Sequence, residues 1–339
     1  MSPERKIHWF PFRAPIVERL ELDATVFEGP SNAYLYQEQN SGSVSLIDTG
    51  VSTAAVADQL RRELSKRGLT FADIDHVLLT HFHYDHAGLA GQIQADSDAT
   101  VWCHHRDSPL VAAGQDGIVE LFAGDEQRLR EWGIPAAERD DLRTFLRSTA
   151  GLAGQPVETT DVTDGDHIEI GAETVTVIHL PGHTAGHVGY RFSDGIMATG
   201  DVVLADYTPN VGGADIRLEH PLQRYFASLE ALLSFEPDCL KPGHGDPITD
   251  PSNRIQRIID HHQHRANQII EILLETGPSR PWDVALALFG DLANIHILQG
   301  TGEAYAHLDF LLSTGHLSVD NGRYHVVNSD ISPGFPQFS

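Results

Sequence analysis

Apolar and polar positions alternate from Ser31 to Asp48, with a break at Asn40-Ser41-Gly42. A period of two marks a strand with one buried face, so this stretch predicts two strands joined by a turn. From Thr53 to Arg67 the period lengthens: Ala, Val and Leu recur at helical spacing, and Gly68 predicts the helix end. Val77 to Thr80 is an apolar run read as a strand. Residues 111–150 are polar, rich in Asp, Glu and Arg, and punctuated by Gly114, Gly117, Gly124 and Gly133. They predict a helical insertion between two core strands, with Gly151 to Pro156 as the linker that closes it near residue 155. Asp166 to Ile178 predicts a hairpin turning at Gly171-Ala172. The pattern changes at Asp250-Pro251, beyond which Ile255, Ile258, Ile259, His262, Ala266, Ile269, Ile270 and Leu273 line one helical face. Gly277-Pro278 stops that helix; a second is expected from about Pro281 to Leu288, and a third from about Gly302 to Thr314. Leu317 to Val326 then reads as two strands around Asn321-Gly322. By pattern, the chain divides into an α/β part, residues 1–250, and a helical part, residues 251–339.

Hydrophobic residues make up 41% of the 339, enough for a sizeable core. No apolar run approaches bilayer length. Met1 to Phe12 carries early charges and no continuous hydrophobic core, so neither a signal peptide nor a membrane partner is expected. Cys103 and Cys239 form no C-x-x-C pair, which argues against a disulfide framework and makes the cytoplasm the expected location. The formal net charge is −25, and the only lysines are Lys6, Lys66 and Lys241. Such a chain repels phosphate backbones, so a small-molecule substrate is expected and nucleic acid is not.

The chemistry concentrates in Thr80-His81-Phe82-His83-Tyr84-Asp85-His86. On an extended segment His81 and His83 point to one side, and the following turn can bring Asp85 and His86 to an adjacent point. Imidazole and carboxylate groups so placed suit two divalent metal ions side by side, with zinc the first choice and iron or manganese compatible. Three later segments each deliver one more ligand from small, turn-forming neighbours. His183 sits on the Pro181-Gly182 turn, Asp201 ends the run Gly195 to Gly200, and His244 lies between Gly243 and Gly245. His104 and His105 follow another strand and read as surface or pocket-wall residues rather than ligands. His179 reads as buried or supporting a ligand. His261, His262 and His264 read as a solvated or interface face.

These segments, in this order and with Leu46-Ile47-Asp48-Thr49-Gly50 ahead of them, resemble the metallo-β-lactamase superfamily over roughly residues 20–250. The resemblance implies an αββα sandwich carrying the helical insertion, here a candidate substrate lid. It implies one metal on His81, His83 and His183, and another on Asp85, His86 and His244. Asp201 would bridge the two and a hydroxide would fill the shared open position. Asp48 would steady a ligand histidine. His187 matches a histidine that is structural in glyoxalase II-like members. In this machinery Asp85 would hold the hydroxide and take its proton, and Tyr207, or else Tyr84, would donate to a substrate oxyanion.

An aspartate at position 201 departs from the true β-lactamases, which generally carry cysteine or serine there. The run Pro181 to His187 is similar to glyoxalase II, but that enzyme's basic helical domain is not recognisable. The three helices and hairpin after Pro251 instead read as a winged helix, as in one branch of the superfamily. That tail has five arginines and no lysine against nine Asp and Glu, so it is expected to pack or to form a homodimer. The expected activity is hydrolysis of a small ester, thioester or lactone. The alternatives are an endoribonuclease, a β-lactam-hydrolysing enzyme and a non-catalytic metal-binding module.

Overall fold

The computed structural model describes residues 17–23, 29–38, 40–329 and 335–336. The expectation for Met1 to Phe12 lies outside them. A six-stranded sheet runs in the order β1 (Val17–Leu22), β2 (Ser31–Gln37), β3 (Val44–Ile47), β4 (His76–Leu78), β5 (Thr100–His104) and β6 (Thr159–Val162). Its first three strands are antiparallel and the rest parallel. The second sheet comprises β7 (His167–Ile170), β8 (Glu173–His179), β9 (Val188–Arg191), β10 (Ile196–Gly200) and β11 (Cys239–Pro242), antiparallel except where β10 meets β11.

Strand alternation builds the layers. In β2, Tyr34 and Tyr36 face the second sheet and pack with Val175, Val177 and Tyr190. Ala33 and Leu35, one position away, join Val56, Leu60 and Leu64 of α1 (Ala54–Ser65) on the other face. Thr53 caps α1 by accepting from the Val56 N–H. The helices α2 (Tyr84–Ala87) and α3 (Ala90–Asp96) follow β4, while α4 (Ser108–Ala113), α5 (Gln115–Gly124), α6 (Glu126–Glu131) and α7 (Ala136–Thr149) form the insertion between β5 and β6. Outside the second sheet lies α8 (Pro221–Ser234), whose Leu222, Tyr225 and Leu229 share a core with Met197 and Leu240. The result is the four-layer αββα sandwich.

The C-terminal segment holds α9 (Pro251–Thr276), α10 (Pro281–Phe289), α11 (His296–Ser313) and the hairpin of β12 (Leu317–Asp320) and β13 (Arg323–Val326). Its Ile255, Ile269, Leu308 and Leu317 belong to the same apolar cluster as α8 and the second sheet. No helix among the described residues is long and apolar enough to cross a membrane.

Three expectations need correction. The strand read over Val77 to Thr80 is His76–Leu78, because the Thr80 N–H leaves the sheet for the Asp48 carboxylate. The third C-terminal helix begins at His296, not near Gly302. Gly300 and Gly302 lie inside it, and a Cβ on Gly302 would stand 2.2 Å from the Gly213 Cα, so glycine permits a close backbone crossing there. His262 is not on a solvated face: it is 1% exposed and its Nδ1 donates to His307 Nε2 at 3.1 Å.

Candidate metal centre

His81, His83, His183, Asp201 and His244 follow strand ends, Asp85 and His86 lie on the short helix α2, and each ligand histidine is held from behind. Asp48 follows β3 in the left-handed conformation (φ +57°). Its carboxylate accepts from Thr80 N and Oγ1, both at 2.8 Å, and from His86 Nδ1 at 2.9 Å. With the Thr80 hydroxyl donating to Asp48, its oxygen accepts from His81 Nδ1 at 3.0 Å. His83 Nε2 donates to Ala214 O, His183 Nδ1 to Asn210 O and His244 Nδ1 to Pro30 O, at 3.1, 2.9 and 2.9 Å. In all five imidazoles one nitrogen is spent on an oxygen acceptor, which fixes the tautomer and leaves the other as a lone pair.

Those lone pairs converge. His83 Nδ1 lies 2.9 Å from His81 Nε2 and 3.1 Å from His183 Nε2. His244 Nε2 lies 3.3 Å from Asp85 Oδ2, and His86 Nε2 lies 3.8 Å from it. Asp201 Oδ2 stands between the two sets, 3.7 Å from His183 Nε2 and 3.5 Å from both His86 Nε2 and His244 Nε2. Among the described residues three groups could hold a metal: His81, His83 and His183; His81, His86 and Asp201; and Asp85, His86 and His244.

The donor set fits a divalent cation. Lone pairs facing each other at 2.9–3.1 Å repel unless a positive charge lies between them. His86 Nε2 and Asp201 Oδ1 are buried without a hydrogen-bond partner, a costly state that coordination would relieve. Gly243 keeps the space open: a Cβ there would meet Asp201 Oδ1 at 2.1 Å.

The electrostatics agree. Burial pushes His81 well below its ordinary pKa, helped by His86 and His83. Burial likewise lowers His83. Burial alone would raise Asp85, but His86 and His244 hold it well below the usual carboxylate range. Asp201 is held down the same way. Burial also opposes charge on His244, yet Asp201 and Asp85 raise it to about 12. The two carboxylates call for positive charge beside them, which a proton or a metal ion can supply.

All seven proposed ligands and Asp48 are thus brought together. Tyr207 is not: it is 37% exposed, does not line the cavity in front of the cluster, and its carbonyl accepts from Arg254 Nη2. Tyr84 does line that cavity, and burial pushes its hydroxyl up to about 12. His187 supports the site: its Nε2 accepts from the Asp201 N–H at 3.0 Å, and its ring stacks on His81. His104 is neither surface nor cavity wall; it is buried and stacks on His179, whose Nε2 donates to Ala185 O. His105 is exposed.

One buried network was missed in the sequence. Asp107, just past β5, accepts from Thr184 Oγ1 at 2.8 Å and the Gly186 N–H at 3.1 Å. Asp215 accepts from the Ala185 N–H at 2.8 Å. Arg217 bridges both carboxylates at 2.6 Å and also donates to Arg106 O. Together they clamp the loop carrying His183. Burial raises Asp107 to about 6, against the pull of Arg217. The one sequence signal was an aspartate shortly after a strand, as with Asp48.

The cavity encloses about 690 Å³, its mouth included. The insertion contributes Phe145, Leu146 and Thr149 to its wall, and the start of the last long helix contributes Ile295 and Gln299.

Comparison with known proteins agrees with this architecture. Residues 26–244 match the model of the metallo-beta-lactamase superfamily, and the chain belongs to that superfamily. A probable metallo-hydrolase of Bacillus subtilis (strain 168) is 28% identical over 275 residues, 79% of this chain and 84% of that protein. A beta-lactamase-like protein 2 homolog of Drosophila melanogaster is 28% identical over 256 residues, 72% of this chain and 68% of that protein. Among solved structures, a metallo-beta-lactamase family protein from Thermus thermophilus superposes with a TM-score of 0.76 at 28% identity. The alignment covers 91% of this chain and 98% of that one.

Proposed function

We propose that the protein is a metal-dependent hydrolase of a small ester, thioester or lactone, using two divalent ions, with zinc the first to test. One observation carries the reading: five imidazole lone pairs and two carboxylates converge at one buried point, each ring oriented by an oxygen behind it. His81, His83 and His183 would hold one ion, and Asp85, His86 and His244 the other, with Asp201 shared. Ions held there supply a Lewis acid and acidify a water to serve as nucleophile near neutral pH.

The chain's own residues do the rest. Asp85 both faces the cavity and belongs to the cluster, so its carboxylate is placed to take a proton from an incoming water. Asp48 keeps His86 in the tautomer that presents Nε2. Phe82, Leu146 and Ile295 exclude bulk water from the front of the site. The described residues lining the cavity include no Lys or Arg that would receive an RNA backbone. We read the three C-terminal helices and hairpin as a winged helix that serves packing rather than nucleic-acid binding.

The test pairs elemental analysis with turnover on a lactone, a thioester, nitrocefin and RNA. About two metal ions per chain, and ester-type hydrolysis lost in Asp85→Ala, is the expected result. Turnover of RNA alone, or bound metal with no hydrolysis anywhere on the panel, would overturn the reading.

A further inference from the structure

We infer that the cavity selects an uncharged, apolar substituent next to the scissile carbonyl, an aliphatic chain or a single aromatic ring. The inference rests on the hydrolase reading above and names its substrate class. The metal cluster forms one end of the cavity, through His83, Asp85, His183, Asp201 and His244. The apolar lining comes from three separate segments: Phe82 within the metal motif, Phe145 and Leu146 on α7, and Ile295 ahead of α11. Leu146 is 3% exposed and Phe82 3% exposed, so both are set into the structure rather than lying loosely over the opening.

Polar groups on the wall are few and already engaged or uncharged. The Thr149 hydroxyl donates to Phe145 O at 3.1 Å, and Gln299 is a neutral amide. Among the described residues no Lys or Arg lines the cavity, and its two carboxylates, Asp85 and Asp201, belong to the metal-holding cluster. A carboxylate, phosphate or sulfonate on a substituent lodged among Phe82, Phe145, Leu146 and Ile295 would therefore lose its hydration with no side-chain cation to receive it. An alkyl or aryl group loses nothing and gains from leaving water. The protein's charge of −25 adds a long-range penalty for anionic substrates. Both the insertion and the C-terminal segment are needed for this wall, which gives each a role at the site.

The substituent can belong to the acyl side or to the leaving group, and two substrate series separate these. In the first, metal-loaded protein is given p-nitrophenyl acetate, butyrate, hexanoate, octanoate and the anionic hemisuccinate. In the second, acetate esters of lengthening alcohols are used. We expect kcat/KM to rise about fourfold per added methylene in one series, until the cavity is full. The hemisuccinate should be the poorest substrate of its length. Leu146→Asp and Ile295→Asp, on different elements, should flatten that rise. A second readout needs no turnover: the neutral fluorophore N-phenyl-1-naphthylamine should bind metal-free protein, be displaced by octanamide, and bind neither variant. Circular dichroism melts identify a variant that has merely unfolded, and the other variant then decides.

Hydrolysis with no chain-length dependence in either series, or faster hydrolysis of the hemisuccinate, overturns this inference and leaves the hydrolase reading standing. No hydrolysis of any ester in these series or of the lactone and thioester above, with the fluorophore still bound and displaced, instead removes the hydrolase reading.

Discussion

Replacing Arg217 by methionine should loosen the His183 loop and destabilise the fold together. The guanidinium bridges Asp107 and Asp215, both 0% exposed, with 2.6 Å contacts to each. Methionine keeps much of the volume but leaves two buried carboxylates without their cation. Breaking a buried ion pair from one side costs about 3–5 kcal/mol. At about 2.1 cal/mol/K per residue, unfolding entropy over 339 residues is about 0.7 kcal/mol/K, so the melting temperature should fall by about 4–7 °C. The same carboxylates accept from Thr184, Ala185 and Gly186, so the loop also loses its clamp. Metal affinity should drop about 10–100-fold, as when groups supporting a ligand are removed. Scanning calorimetry of the metal-free protein reads the first effect, and competition with a chromophoric chelator reads the second. The triple variant with Asp107→Asn and Asp215→Asn should melt above Arg217→Met alone, because no buried charge is then left unpaired. A melting temperature within about 1 °C of the parent, with unchanged metal affinity, would refute the clamp.

Asp48→Ala frees His86 Nδ1 and Thr80 together; metal affinity by chelator competition should weaken about 10–100-fold. Gly302→Ala places a Cβ against Gly213, and overpacking of this kind should cost about 1–3 kcal/mol in urea unfolding, with the metal ligands untouched. His262 is held well below its ordinary pKa by burial and by His307, which burial holds at about 3. Below pH about 6.5 the unfolded chain binds protons that the fold refuses, so stability should fall with pH by up to about 1.4 kcal/mol per unit for each ring. Urea melts at pH 7 and pH 5 should show a shallower fall in His262→Leu.

Local signals carried much of the site. Asp48, the H-x-H-x-D-H run, His183, Asp201 and His244 each follow an apolar strand or a glycine turn, and that pattern needs no tertiary knowledge to see. Strand alternation in Ser31 to Asp48 and the helical face of Ile255 to Leu273 gave the layers and the long C-terminal helix in the same way, because burial imposes a period on the chain. Tertiary structure decided whatever depends on who the neighbour is. His262 carries the same periodic signal as the isoleucines around it, and only its contact with His307 shows that the ring is core. Gly302 reads as a helix weakener until Gly213 is found against it. Tyr207 lies six residues after Asp201, but proximity along a loop does not set direction, and the loop carries it away from the cavity. Asp107, Asp215 and Arg217 meet across about a hundred residues of chain, a pairing no local period encodes. The sequence thus marked which groups could bind a metal and the approximate course of many strands and helices, though not their ends. The fold alone decided which oxygen orients each ring, what clamps the His183 loop, and which apolar side chains share a cavity with the ligand cluster, because those are contacts between segments distant in the chain.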